Sequence, residues 1–459
     1  MQDLTTGSLS GHLLKTTSFM LVSMIFQTLY VLVDLYWVGS LGTDAVAAVG
    51  ISGNLTFIVL AVSQMLGVGA TTRVAHASGR KDHEQAVFLF NQAQVLSVTA
   101  GFVFWIVAML LQHDYVNGMS ADAETNRLAN EYLLWFIPAM ALQFAIVAMG
   151  AALRGTGNFK PGMIVQTGTV LLNIVLAPFL IFGWGTGYAM GVSGAAVATF
   201  VSVVVGVVWI SLYFFDKNAY LRFHFAHWRP QLRIWGDMLK IGLPAGIEFA
   251  LMAVYLMVVY AVSRPFGAQA QAGFGIGMRI MQSMFMPIVA LGFAVAPVAG
   301  QNFAARRGDR VREAFRQAAL MSLIATLACT ALAQIAPRAL IGFFTADQQA
   351  IDIGETYLRI VSLTFSASGI TFVTASMFQA MGNTIPSMAT SFARIIIVAI
   401  PAVFLAQIAG FELRWIWYLT VVATFTQVSL NVLLLRREFR VRLHHAPAMA
   451  QAQAVAADV

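Results

Sequence analysis

Two acids stand deep inside otherwise apolar runs. One is Asp34, within Tyr30-Val-Leu-Val-Asp34-Leu-Tyr36-Trp37; the other is Glu248, within Gly242-Leu-Pro244-Ala-Gly-Ile-Glu248-Phe. A carboxylate at the centre of a membrane helix costs about 3 kcal/mol, so each calls for a purpose. Apolar surroundings penalise the charge, the condition for a group that takes up and releases a proton or binds a passing cation. Around Asp34, neutral polar side chains lie at matching depths. Gln27 precedes it by two helical turns and shares its face. Asn173 and Thr199 fall in later runs, about 15 and 12 Å from their outer ends at the α-helical rise. These three are expected to line one site beside Asp34, although each alone fits a side chain that satisfies its own helix backbone.

Glu248 reads differently. It lies about 12 Å from the cytoplasmic end of its run, level with Arg394 in another. A structural Glu248–Arg394 ion pair is the favoured reading, with a substrate or coupling role as the alternative. Tyr36 and Trp37 favour an aromatic belt at the membrane interface over a substrate surface. Met278, Met281 and Met284 favour helix packing. Arg279 fits a cavity residue and a packing anchor equally. Enzyme chemistry finds no foothold: there is no G-x-x-x-x-G-K-[ST], no H-E-x-x-H and no G-x-S-x-G, and the histidines lack metal-ligand spacing. No cofactor or metal is called for. Without a nucleotide site, any movement of a substrate across a membrane would have to run on an ion gradient or simply equilibrate.

The elements that must position these residues follow from composition. With 59% hydrophobic and 10% charged residues and a mean hydropathy of +0.76, the chain is expected to be an all-α integral membrane protein. Twelve apolar runs, from 13–38 to 415–435, are long enough to cross a bilayer. The first half also returns in weak copy 225 positions later. Leu41-Gly42…Ala47-Ala48-Val49-Gly50 becomes Phe266-Gly267…Ala272-Gly273-Phe274-Gly275, and Gly157-Asn158-x-x-Pro161 becomes Gly382-Asn383-x-x-Pro386. Such a repeat predicts two pseudo-symmetric six-helix lobes, 1–215 and 241–440. They would be joined by a cytoplasmic linker with an interfacial helix, 216–240, and followed by a disordered tail, 441–459. Asp34 falls opposite Val259, so the halves differ at that position.

Most of the 27 Lys and Arg fall before span 1, after even-numbered spans or in the tail. The positive-inside rule then puts both termini in the cytoplasm. The same rule accounts for the net charge of +7 through anionic lipid, without nucleic acid. The first apolar run is too long for a cleaved signal and is expected to remain as an anchor.

Three stretches together carry a resemblance. They are Val33-Asp34-x-x-Trp37-Val-x-x-Leu41-Gly42-x-x-Ala45-x-Ala47-Ala48-Val49-Gly50, Gly275-Ile-Gly277-Met-Arg279-Ile…Met286-Pro287…Gly300-Gln301-Asn302-Phe303-Ala304-Ala305, and the paired Gly-Asn-x-x-Pro loops. Over roughly residues 10 to 440 the chain resembles the multidrug and toxic compound extrusion (MATE) transporters, nearest their DinF-like branch. The resemblance implies a V of two lobes in a bacterial cytoplasmic membrane, working as a monomer. It also implies antiport of H⁺ or Na⁺ against bulky, mostly cationic drugs, at an N-lobe site of Asp34 with Gln27, Asn173 and Thr199. The branch often has a second acid in an Asn-x-x-x-Asp-Pro motif, where this chain has Asn173-Ile-Val-Leu-Ala177-Pro178. Na⁺ wants several oxygens and charge compensation, so a lone carboxylate favours H⁺. A lipid-linked precursor flippase of the same superfamily is the alternative. It would need a strongly cationic cavity, and the N-half spans as delimited contain no Lys or Arg beyond Lys15 at the edge of the first.

Overall fold

Every long apolar run becomes a helix. A computed structural model describes residues 2–443 apart from positions 121, 186, 217 and 409; the tail expected to be disordered lies outside the described residues from 444 onward. The helices are α1 Leu9–Gly39, α2 Thr43–Gly79, α3 His83–Met119, α4 Ala123–Gly155, α5 Lys160–Phe182, α6 Val192–Phe215, α7 Leu232–Ser263, α8 Ala268–Ala304, α9 Gly308–Ile335, α10 Pro337–Gly342, α11 Gln348–Val361, α12 Phe365–Ala380, α13 Ile385–Leu405 and α14 Arg414–Arg442. Twelve helical spans are long and apolar enough to cross a membrane, and α11 with α12 forms one of them. Several outrun the sequence boundaries, because a hydropathy window stops where charge begins and a helix does not. The N-half helices therefore contain more basic residues than the sequence reading allowed, Lys15 in α1, Arg73 in α2, Arg127 and Arg154 in α4 and Lys160 in α5.

The chain forms two compact units. One holds Met1–Asp3 and Ser18–Gly246, the other Leu4–Thr17 and Ile247–Val459. In the first, α4 packs on α2, α3 and α6, and α5 packs on α6. In the second, α12 packs on α8, α9 and α14, and α13 packs on α14. The same neighbours thus recur at repeat-related positions.

The Gly-Asn-x-x-Pro loops show why the repeat keeps those residues. Gly157 and Gly382 take the left-handed backbone, φ 78° and 73°, which ends α4 and α12 without a Cβ clash. Pro161 and Pro386 then fall in the first turn of α5 and α13, where the missing N–H costs nothing. Between them, Asn158 Nδ2 donates to the Tyr213 hydroxyl at 2.9 Å, and Asn383 Nδ2 donates to Glu438 Oε1 at 2.8 Å. Tyr213 and Glu438 are themselves 225 apart. Each loop is therefore stapled to the sixth helix of its own half.

Two local features depart from the sequence reading. The central stretch 216–240, expected to be a linker with an interfacial helix, carries a 3-10 turn at Phe225–Trp228 and then enters α7 at Leu232. Two α3 amides grip it. Asn91 Oδ1 accepts from His224 N and Trp228 Nε1, and Gln92 Oε1 accepts from Gln231 N and Trp235 Nε1. The span made of α11 and α12 is broken at Ser362–Thr364 by another 3-10 turn. Thr330 Oγ1 donates to the Ser362 carbonyl and Gln334 Nε2 to the Ser362 hydroxyl, so α9 meets the polar groups at the break.

Candidate functional site

The N-terminal unit gathers three hydroxyl and amide groups beside Asp34. Thr199, on α6, is 6% exposed and back-bonds to the Ala195 carbonyl, the ordinary behaviour of a helix threonine. Its Oγ1 also accepts from Asn173 Nδ2 on α5 at 3.2 Å and pairs with the Tyr30 hydroxyl on α1 at 3.1 Å. One hydroxyl thereby joins three spans. Asp34 lies one helical turn beyond Tyr30, and its Oδ1 is buried with no hydrogen-bond partner. Among the described residues the Asp34 carboxyl makes no hydrogen bond and no ion pair. Tyr132 on α4, 3% exposed, lies within electrostatic reach of both Asp34 and Tyr30. Ala177, where a second acid would complete the branch's motif, is 1% exposed and packed among Ile181, Ala195 and Ala198. The arrangement is a single intramembrane carboxyl with an unfilled acceptor, flanked by a saturated polar knot.

Asn173 and Thr199 thus meet. Gln27 does not join them: it is exposed and makes no hydrogen bond to this group among the described residues. Tyr36 is 70% exposed, with its ring edge against Trp37. Trp37 packs on Phe182 and Trp184 at the C-terminal end of α5, which fits the belt reading of that pair. Arg279 is exposed on α8, without an ion pair among the described residues. Tyr30 and Tyr132 were missed as site residues. Both have a tyrosine 225 positions later, Tyr255 and Tyr357, and Tyr30 also stands four residues before Asp34.

In the C-terminal unit the expected ion pair does not form. Glu248 accepts from Ser391 Oγ at 2.6 Å and from Ser387 Oγ at 3.1 and 3.2 Å. Arg394 makes no N···O contact to it within 4.0 Å. Equal depth did not become contact, because Ser387 and Ser391 project from the same face of α13 and reach the carboxylate first. Arg394 instead sits over the Tyr255 ring, 5.3 Å from its centroid. Tyr255 repeats the N-terminal knot, its hydroxyl paired with Thr420 Oγ1 at 3.0 Å. Gln427 Nε2 donates to Ser391, and Thr390 donates to Asn431 Oδ1.

Comparison with known proteins agrees with the architecture. The MatE family model matches residues 20–179 and again 244–405, one match per half. Multidrug export protein MepA of Staphylococcus aureus (strain NCTC 8325 / PS 47) is 26% identical over 368 residues, 79% of this chain and 80% of that protein. MepA of Staphylococcus haemolyticus (strain JCSC1435) is 24% identical over 367 residues, with the same coverage. Among solved structures, an outward-facing multidrug resistance MATE family transporter of the MOP superfamily superposes with a TM-score of 0.88 at 25% identity. That match covers 96% of this chain and 98% of the other. A MOP superfamily transporter from Pyrococcus furiosus Vc1 gives a TM-score of 0.87 at 25% identity, over 95% and 97% of the two chains. Two family matches in tandem, on a twelve-span fold whose halves repeat their packing, make this chain a member of the MatE family of membrane transporters.

Proposed function

We propose that this transporter exports bulky, mostly cationic organic compounds by antiport with H⁺, coupled through Asp34. The supporting observation is the Asp34 carboxyl itself: buried at Oδ1, unpartnered, and beside a hydrogen-bonded knot already complete without it. Such a group gains a partner by taking a proton or a cation and loses nothing structural on release. Na⁺ fits less well. Thr199 Oγ1 is engaged with Asn173, Tyr30 and Ala195, and Ala177 supplies no second charge, which leaves too few free oxygens for a hard cation. The export names of the staphylococcal relatives support the substrate class.

In the proposed cycle, protonation of Asp34 from outside removes its attraction for a bound cation, and the drug leaves. Proton loss to the cytoplasm restores the carboxylate for the next substrate. Gln27, on the open face of α1, meets substrate, and Tyr36 and Arg279 are secondary contacts. The chain works as a monomer in a bacterial cytoplasmic membrane with both termini inside, on the DinF-like side of the family.

The test is proton flux in proteoliposomes holding wild type or Asp34→Asn, with a fluorescent lipophilic cation added first without and then with Na⁺. Cation-triggered proton movement without Na⁺, absent from the mutant, supports the proposal. Coupling that needs Na⁺ overturns the ion assignment. No response to any cation overturns the antiport and turns attention to the flippase.

A further inference from the structure

The two units finish the same helix seam in opposite ways. In the N-terminal unit Phe90 of α3 stacks on Phe214 of α6, ring centroids 4.5 Å apart. The repeat carries that pair to Phe315 of α9 and Phe439 of α14, which meet edge to face at 5.9 Å. Beside Phe90 and Phe214 the chain's own linker lies over the seam. Phe223 packs on both rings and on Phe215, and Asn91 holds His224 N and Trp228 Nε1. Beside Phe315 and Phe439 the corresponding side is open among the described residues. Arg316 stands there in place of Asn91, and Arg440 in place of Phe215, both exposed.

That open side is strongly basic. α9 and α14 run antiparallel where they meet, with Gly308 against Leu443 and Phe315 against Phe439. In antiparallel right-handed helices, the residue after each contacting phenylalanine turns to the same side of the seam, so Arg316 and Arg440 flank it together. Arg312 and Arg436 lie one turn earlier on the same faces, each about 4.5 Å along the axis from its phenylalanine. All four arginines are exposed and form no hydrogen bond or ion pair among the described residues. Asp309, one turn before Arg312, is an exposed acid on that side. A topology signal needs positive charge at this end of a span, but it does not need four unpaired arginines turned to one side.

Deeper in the span the same face becomes apolar. Val422, Phe425 and Leu433 are exposed on α14, where a shallow groove passes Val422, Phe425 and Ser429; Leu320 and Leu327 are exposed on α9. From Thr426 to Arg436 is about 15 Å of helix, half of a hydrocarbon layer about 30 Å thick. We infer that this open seam binds one anionic phospholipid of the cytoplasmic leaflet, its phosphate between Arg316 and Arg440 and its acyl chains along the groove on α14. Guanidinium groups hold phosphate oxygens through paired N–H bonds, and the headgroup supplies the anion that these arginines lack. The lipid thus takes in the C-terminal unit the place that the linker takes in the N-terminal unit. The inference uses the membrane orientation read from charge placement and is independent of Asp34 and of the compound transported.

Native mass spectrometry tests it by counting the lipid that the full-length protein retains from detergent holding equal phosphatidylglycerol and phosphatidylcholine. Wild type should keep the anionic lipid about tenfold or more over the zwitterionic one. Arg316→Gln with Arg440→Gln should remove most of that preference, at about fivefold per arginine, and Arg316→Lys with Arg440→Lys should keep part of it. Arg229→Gln with Arg233→Gln takes the same charge from exposed positions in the N-terminal unit and should leave the preference intact. No preference in wild type overturns the inference without recourse to any variant. Equal loss from both glutamine pairs overturns it too, since diffuse charge would then suffice. So does a preference that appears only once residues 444–459 are deleted, because the chain's own tail would then be the cover.

Discussion

In the proposed cycle, Asp34 and Thr199 divide the work of the N-terminal site between a group that must change state and one that must not. Thr199 is the centre of a knot joining α1, α5 and α6, so its neighbours should matter to stability more than to coupling. Tyr30→Phe is expected to lower stability by about 1 kcal/mol and to leave proton-coupled transport measurable. A double-mutant cycle with Thr199→Val checks this, since the two losses should not add. Asp34→Asn should do the reverse, abolishing coupled flux while the melting temperature stays near wild type. Asn173 and Thr199 were legible in the sequence because depth along a helix is simple arithmetic. Gln27 and the Glu248–Arg394 pair show the limit of that arithmetic: depth fixes how far along a span a side chain lies, not which neighbour it turns towards. Two serines on α13, unremarkable in the sequence, decided what Glu248 touches.

At the scale of elements, helix ends carry much of the specificity. Gly157 and Gly382 hold a backbone that any Cβ strains, so Gly382→Ala should cost about 1–2 kcal/mol, read as a lower midpoint in thermal unfolding. Asp122 caps α4, its Oδ1 accepting from Thr125 N at 2.7 Å and its Oδ2 from the Thr125 hydroxyl at 3.0 Å. Those donors, the backbone N–H foremost, hold the exposed carboxyl below its usual range. A depressed value means that the cap's contribution is complete above the ordinary carboxylate pKa, about 3.9, and is lost as pH falls through the lowered one. Asp122→Asn keeps the cap's acceptor but should flatten that pH dependence in melting curves recorded from pH 5 to 3. The twelve spans and the paired loops were plain in the sequence, because hydropathy and glycine are local signals. The break at Ser362–Thr364 was not, since the groups that meet it come from α9, 28 and 32 residues away.

For the molecule as a whole, the repeat was the strongest sequence signal, and it has a backbone counterpart. Lys81 and Arg306, 225 apart, both adopt positive φ, 60° and 57°, where such residues rarely go. Charge placement predicts which side of the membrane each loop faces. Cys329 is the sole cysteine, so Cys329→Ser gives a clean background for topology mapping. In that background Lys81→Cys should react with an impermeant maleimide only from the cytoplasmic side, and Tyr188→Cys only from outside. Labelling of both from one side would overturn the assigned orientation.

The grip of Asn91 and Gln92 on residues 224–235 has a practical consequence for handling the protein. The longest connection in the chain looks, by length and position, like the natural place for a protease nick, an affinity tag or a fusion partner. Its backbone at His224 and Gln231, its Trp228 and the Trp235 that follows in α7 are instead held by a pair of buried amides. Limited proteolysis should therefore spare it, and an insertion there should reduce expression. The turn around Gly185, on the opposite side of the membrane, is a better site for engineering.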